Sequence, residues 1–178
     1  MDSSSSLASP KYTEWSTGPF QVFVLGKTPK HPLSIAKILT KKADQSLLKR
    51  STFNIAGNNR IKASFASIQE ANEFISHVDN IDELNVHIPF SLMFRSGIIK
   101  NVPTDITTTE LTDTVASDIP IASVRRFSRK EDGKNIDLPI IEVLFVGTQL
   151  PQSVSFYGLN FKVLPNVRLP QKCVNCFR

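Results

Sequence analysis

The chain is organised around the run Gly97-Ile98-Ile99-Lys100-Asn101-Val102-Pro103, which three residues separate from Thr107-Thr108-Thr109-Glu110. The first run begins with apolar residues and ends in proline, which indicates a buried strand and its exit. Thr107 and Glu110 have the spacing of a capping box, in which each side chain can bond to the backbone amide of the other. A buried strand that leads directly into a capped helix predicts the opening of a β-α-β unit.

A weaker copy of this opening, Val22-Phe23-Val24-Leu25-Gly26, lies in the first half of the chain. Pro32 suits the first turn of the helix that follows, and Ser67 and Glu70 form a second capping box. Together these signals predict a first unit in the order β-α-β-β-α-β. Its strands are predicted at residues 20–25, 47–55, 60–65 and 85–90.

The second half repeats this opening and then departs from it. Asp132-Gly133 predicts a hairpin between two strands. Gly147-Thr148-Gln149-Leu150-Pro151 stands where a second helix would be expected, so we predict that this helix is missing or reduced to a turn. The last strand is predicted at 159–164. The predicted fold class is therefore α+β, with two tandem domains of roughly 80 residues each.

Charge is segregated along the chain, and this bears more on function than the net charge of +5. Nine basic residues and one acid lie between Lys27 and Lys62, whereas five acids and no Lys or Arg lie between Glu70 and Glu83. Separate basic surfaces of this kind can meet phosphates. The plainer interpretation is a set of solvated helix faces.

Several function classes find little support. The longest apolar runs fall short of the roughly 18 residues that span a membrane, and the chain begins without a secretory signal. We therefore expect an intracellular protein, in the cytoplasm or nucleus, with no membrane and no small-molecule substrate. Glycine-rich phosphate loops, nucleophile elbows and HExxH motifs are missing from the sequence. We predict that the protein is not an enzyme.

The β-α-β-β-α-β order with basic strands resembles the RNA-recognition motif, a ferredoxin-like fold whose two central strands carry aromatics on which bases stack. The resemblance implies two tandem RRM-like domains, the second lacking or shortening its second helix. The predicted divisions are a disordered Ser-rich tail at 1–18, a first domain at 19–92, a degenerate second domain at 93–165 and a proline-rich basic tail at 166–178.

A more specific resemblance depends on the second half. The Ile-Ile-Lys-Asn-Val-Pro strand is followed by Val143-Leu144-Phe145-Val146-Gly147, then by Gly158-Leu159-Asn160-Phe161-Lys162-Val163, two further prolines and a Cys-x-x-Cys. In this order the motifs resemble the Gag-like first-open-reading-frame proteins of arthropod jockey-type non-LTR retrotransposons. That resemblance implies tandem recognition-motif-like domains, CCHC zinc knuckles and binding of the element's RNA.

The chain departs from that pattern at two places. The aromatic positions of the stacking strand fall on Arg60 and Lys62 in the first domain and on Ile140 and Glu142 in the second. Only Phe23, on the neighbouring strand, keeps an aromatic, and an ordinary core role for it is equally open. We therefore expect contact with phosphates more than reading of bases.

The second departure concerns zinc. Cys173 and Cys176 have the spacing that begins a CCHC knuckle, but the given sequence stops before the His and the third Cys. Because a structural zinc ion takes four ligands, this is an incomplete metal site, truncated in its first knuckle. We expect no cofactor in this chain, with zinc bound only if the site is completed.

The leading hypothesis is a module that binds RNA or single-stranded DNA through its basic sheet and loop residues. The alternative is a protein–protein self-assembly module, a possible homo-oligomer that does not bind nucleic acid directly. The candidate nucleic-acid-binding residues are Phe23, Lys27, Lys49, Arg50, Arg60, Lys62, Lys100, Arg125, Arg126, Arg129 and Lys130.

Overall fold

The computed structural model describes residues 11–167 and confirms the α+β class, with several antiparallel sheets and few helices. It divides into two compact units. The first comprises residues up to Arg95 together with Val146–Gln149, and the second comprises Ser96–Phe145 and the chain from Leu150 onward. Among the described helices, none is long and apolar enough to cross a membrane.

The first unit contains a four-stranded antiparallel sheet in the order β2-β3-β1-β4, with helices packed on one side of it. His31 caps the first helix through its Nδ1, which accepts from the Leu33 amide at 3.2 Å. Ser67 caps the third helix as predicted, its hydroxyl accepting from the Glu70 amide at 3.3 Å. The elements are β1 Phe20–Gly26, α1 Pro32–Lys42, α2 Gln45–Lys49, β2 Thr52–Gly57, β3 Arg60–Phe65, α3 Ile68–Asp79, β4 Leu84–His87 and α4 Phe90–Met93.

The side chains of the central strand β1 point alternately to the core of this unit and to the opposite side of its sheet. Val22 and Val24 are fully buried and join the cluster that includes Ile35 of α1 and Phe74 of α3. Gln21, Phe23 and Leu25, which alternate with these residues along β1, are only partly buried. Because side chains alternate along a strand, Phe23 lies on the side of the sheet that the helices leave uncovered.

One prediction about the first unit is wrong, and part of the predicted tail before it is ordered. The predicted strand at 47–55 begins as the helix α2, because Asp44 accepts from the Ser46 amide at 2.7 Å and caps it; pairing with β3 starts only at Thr52. The predicted disordered tail also includes ordered residues. Tyr12 is 4% exposed, and its hydroxyl donates to the Gln21 carbonyl at 2.7 Å. Residues 1–10 lie outside the described residues.

The second unit contains a four-stranded sheet in the order β11-β5-β8-β7 and a three-stranded sheet in the order β10-β9-β6. Thr107 caps its helix as predicted, accepting from the Glu110 amide at 3.2 Å. The predicted hairpin at Asp132-Gly133 is confirmed by the pairing of Glu131 with Lys134. The elements are β5 Phe94–Lys100, α5 Thr108–Thr114, β6 Val115–Ala116, β7 Ile121–Glu131, β8 Lys134–Val146, β9 Ser153–Phe156, β10 Leu159–Lys162 and β11 Leu164–Pro165.

A β-hairpin occupies the chain between β8 and β11, where a second helix would stand in a β-α-β-β-α-β unit. The hairpin buries Val154 and Phe156 and turns at Tyr157-Gly158, both of which have positive φ. The predicted last strand at 159–164 therefore divides into β10, which pairs within the hairpin, and β11, which pairs with β5.

Candidate nucleic-acid interface

The uncovered side of the first unit's sheet is the candidate interface, and strand register determines which residues share it. Phe23 lies opposite Lys62 of β3 and opposite His87 of β4, and Lys62 in turn lies opposite Asn54 of β2. Residues directly opposite one another in an antiparallel sheet point to the same side. We call this side the open face; by register it comprises Gln21, Phe23, Leu25, Thr52, Asn54, Arg60, Lys62, Ser64, Asn85 and His87.

Arg60 lies beside the aromatic ring at the centre of this face. Its guanidinium carbon is 5.1 Å from the centroid of the Phe23 ring, which is a cation–π distance. Arg60 Nε and Nη2 also donate to the Ala56 carbonyl at 3.2 and 3.0 Å, and these bonds fix the plane of the guanidinium. An incoming base can stack on this plane or replace it on the ring, because both surfaces accept a base.

The charges on the open face have one sign. None of its ten residues is acidic, and Arg60 and Lys62 supply two permanent positive charges beside one aromatic ring. In the part of the chain that the structure describes, neither cation pairs with a carboxylate, so both are available to an external anion. Asn54 and His87 extend the row of Lys62 and Phe23 to the two edge strands, and sequence reasoning did not find them because their place depends on register.

Three other predicted residues of the first unit lie away from this face. Lys49 lines a groove with Leu39 and Phe53 on the helix side of the sheet. Arg50 is 3.9 Å from the Glu70 carboxylate at the start of α3, on the same side. Lys27 is exposed in the loop that follows β1. Of the six residues predicted in the first unit, the open face brings together Phe23, Arg60 and Lys62.

The second unit carries an acid on the side of β8 that faces away from the buried residues Ile141 and Val143. Glu142 of β8 has a side chain only 13% exposed, and Arg125 donates to its Oε2 through Nε at 3.1 Å and Nη2 at 2.6 Å. Its Oε1 accepts from Ser96 at 2.5 Å and from Asn166 at 2.7 Å. We call Glu142, Arg125, Ser96 and Asn166 the Glu142 cluster.

This cluster holds the carboxylate in its charged form. Partial burial alone would raise the pKa of Glu142, but hydrogen bonds from Ser96, Arg125 and Asn166, with the charge of Arg125, outweigh it and lower the pKa below its usual value. Arg125 also lies over the Phe127 ring, 5.4 Å from its centroid. The cation predicted to meet a phosphate here is already paired with an internal anion.

Arg126 and Arg129 are also engaged within the second unit. Arg126 donates to four backbone carbonyls, those of Val102, Leu138, Pro103 and Ile106, at 2.8 to 3.1 Å. These bonds fix the backbone that follows β5, so Arg126 has a structural role. Arg129 is 2.9 Å from the Glu131 carboxylate, while Lys100 and Lys130 are exposed. Cys173 and Cys176 lie outside the described residues.

Comparison with protein families matches part of the second unit. A family model described as "Domain of unknown function (DUF8775)" matches residues 96–165, a segment that runs from within β5 to the end of β11. No curated protein matches the chain. The matched family carries no stated activity, and the match does not include the open face.

Proposed function

We propose that this protein binds RNA or single-stranded DNA, mainly through the open face of its first unit. The observation that carries the proposal is the placement of Lys62 and Arg60 beside Phe23 on a face without acids. A cation that is not already paired can replace the counterions of a phosphate, and an aromatic ring or a guanidinium plane can stack a base. One surface of the first unit thus offers both contacts that a single strand requires.

Phosphate contact should dominate this binding. With a single aromatic on the face, stacking serves one base, whereas Arg60 and Lys62 can each neutralise a phosphate. Polar side chains such as Asn54 and His87 extend the path across the sheet and can bond to a sugar or a base edge. We expect weak sequence preference and strong salt dependence.

The finer fold and the retrotransposon resemblance belong to the same proposal. The strand order β2-β3-β1-β4, with helices on one side, is the arrangement expected of an RRM-like domain, and we propose this identity for the first unit. We propose that the second unit is a degenerate relative in which a hairpin replaces the second helix. A tandem arrangement of this kind fits a Gag-like protein that coats the RNA of its element.

Fluorescence anisotropy with a labelled single-stranded RNA of mixed sequence tests the proposal, with DNA of the same sequence in parallel. Two neutralised phosphates predict a slope of about −1.4 in log affinity against log salt, or roughly a sevenfold loss from about 50 to about 200 mM salt. Binding that is undetectable at the lower salt, or that does not change with salt, would contradict the proposal.

A further inference from the structure

The edge strand β2 has an outer side with no partner strand in the described part of the chain, since the sheet order is β2-β3-β1-β4. Natural proteins usually protect such an edge with charges, prolines or an early bulge, because exposed strands pair with other strands. From Ser51 to Asn59 the sequence has no charged residue and no proline. The bulge lies only between Ile55 and Gly57, which leaves Thr52–Ile55 in regular register.

The helix side of this edge is apolar and exposed. Ile55 is 76% exposed and Phe53 is 37% exposed. Both point to the same side of the sheet because they are two residues apart along β2. Leu33 of the neighbouring helix α1 is 73% exposed. A groove of about 280 Å³ opens between α1, α2 and β2, with Ala36, Leu48 and Phe53 in its lining.

We propose that β2 pairs antiparallel with β2 of a second copy of this chain, about a two-fold axis through Asn54. In this register Phe53 lies opposite Ile55 of the second copy, and Asn54 lies opposite its own equivalent. Two four-stranded sheets then join into one of eight strands. The exposed side chains of Phe53, Ile55 and Leu33 lie along the joint on the helix side, where pairing removes them from water.

The sequence of β2 favours the same strand of a second copy as its pairing partner. Its apolar residues stand at equal distances on either side of Asn54, so two identical strands bring unlike apolar side chains together and place no like charges opposite one another. Lys37, Lys41 and Lys49 border the grooves nearby and approach their equivalents in the dimer. Salt should therefore strengthen this association, whereas it weakens binding to nucleic acid.

The pairing also deepens the proposed function, on which this consequence rests. A two-fold axis perpendicular to the sheet keeps both open faces on one side of the eight-stranded surface. One strand of nucleic acid can then contact two copies, and the linked contacts raise the apparent affinity without any new residue.

Sedimentation of nuclease-treated full-length protein across a dilution series tests the pairing. We expect a monomer–dimer equilibrium that shifts toward dimer as salt rises, and Ile55→Lys should make the chain monomeric. Leu159→Lys is the matched control, since Leu159 is 67% exposed and lies on the edge strand β10. A monomer at every concentration, or a dimer that Ile55→Lys leaves intact, would overturn the proposal.

Disulfide trapping tests the register in a background with Cys173→Ser and Cys176→Ser. Asn54→Cys should form a covalent dimer under mild oxidation, because facing Cα atoms are about 5 Å apart. Thr52→Cys, on the same side of the same strand, should not, since its equivalents would lie about 13 Å apart. Crosslinking by Thr52→Cys instead would reject the Asn54-centred pairing. A dimer that does not bind RNA would contradict the proposed function and leave this inference standing.

Discussion

The open face of the first unit and the Glu142 cluster of the second unit both include a central strand of a four-stranded sheet, β3 and β8, but their basic residues have different partners. Lys62 stands on β3 of the first unit, and Glu142 stands on β8 of the second. Among the described residues, Lys62 lies opposite an aromatic ring and pairs with no acid, whereas Glu142 binds Arg125, Ser96 and Asn166. A basic residue can therefore be available for a ligand or already paired, depending on one neighbouring side chain.

This difference is why counting basic residues misleads. The second unit has five predicted phosphate contacts, and three of them bond within the unit, namely Arg125, Arg126 and Arg129. The first unit presents fewer cations on its sheet, yet Arg60 and Lys62 have no acidic partner within residues 11–167. Binding of nucleic acid should therefore depend on the cations that no internal acid has neutralised.

Charge reversal on the open face should have the largest effect. Arg60→Glu with Lys62→Glu removes two phosphate contacts and adds repulsion, so affinity for single-stranded RNA should fall by about 100-fold or more at low salt. The salt slope should lose about 0.7 units for each contact removed and so approach zero. Anisotropy titrations at several salt concentrations measure both quantities.

The matched control is Lys49→Glu with Arg50→Glu, which makes the same change in net charge on the helix side of the sheet. We expect less than about a threefold loss from this pair, because neither side chain lies on the open face and the change acts on RNA there only at long range. Equal losses from the two pairs would show that total charge decides binding and that the open face has no special role.

Removal of the aromatic ring should have the next largest effect. Phe23→Ala should weaken RNA binding about tenfold, within the range of about 1–3 kcal/mol for one stacked base. The salt slope should stay as in the original chain, because no cation is lost. Phe23→Tyr keeps a stacking ring and serves as the control; a similar loss from both substitutions would indicate that Phe23 only supports the sheet.

Neutralising the acid of the second unit should produce a modest gain. Glu142→Gln releases Arg125 from its ionic partner while Gln keeps an acceptor for Ser96 or Asn166. One additional cation should raise RNA affinity about threefold at low salt. Unchanged affinity would mean that Arg125 is out of reach of nucleic acid even when it is released.

The smallest expected effect is on the way in which the stability of the fold depends on pH. The folded state lowers the pKa of Glu142, so its stabilising contribution is present above the unfolded pKa of about 4.3 and is lost as pH falls through the lower folded pKa. Urea unfolding should show Glu142→Gln less stable by about 0.5 kcal/mol near neutral pH. The deficit should shrink in acid; a constant deficit would mean that the charge of Glu142 contributes nothing.

Much of the first unit could be predicted from sequence because its signals are local. Alternation in residues 60–65 placed Arg60 and Lys62 on one side of a strand, and the Ser67 capping box located the start of α3. The strand predicted at 47–55 is wrong at its start because Leu47 and Leu48 suit a strand as well as a short helix. The Asp44 cap favours the helix.

The candidate site could be predicted only in part, since it depends on pairing between distant strands. His87 and Asn54 join Phe23 and Lys62 through register, which no local pattern specifies. The engagement of Arg125 by Glu142 is likewise a cross-strand contact. Sequence reasoning identified both residues and could not tell that they neutralise each other.

The most direct test of the central claim is ultraviolet crosslinking of the full-length protein to a uridine-rich RNA, with the crosslinked peptides mapped by mass spectrometry. We expect crosslinks at Phe23 of β1 and within β3, since these two strands form the centre of the open face. Crosslinks confined to β5 and β8 of the second unit, with none in residues 20–26 or 60–65, would contradict it.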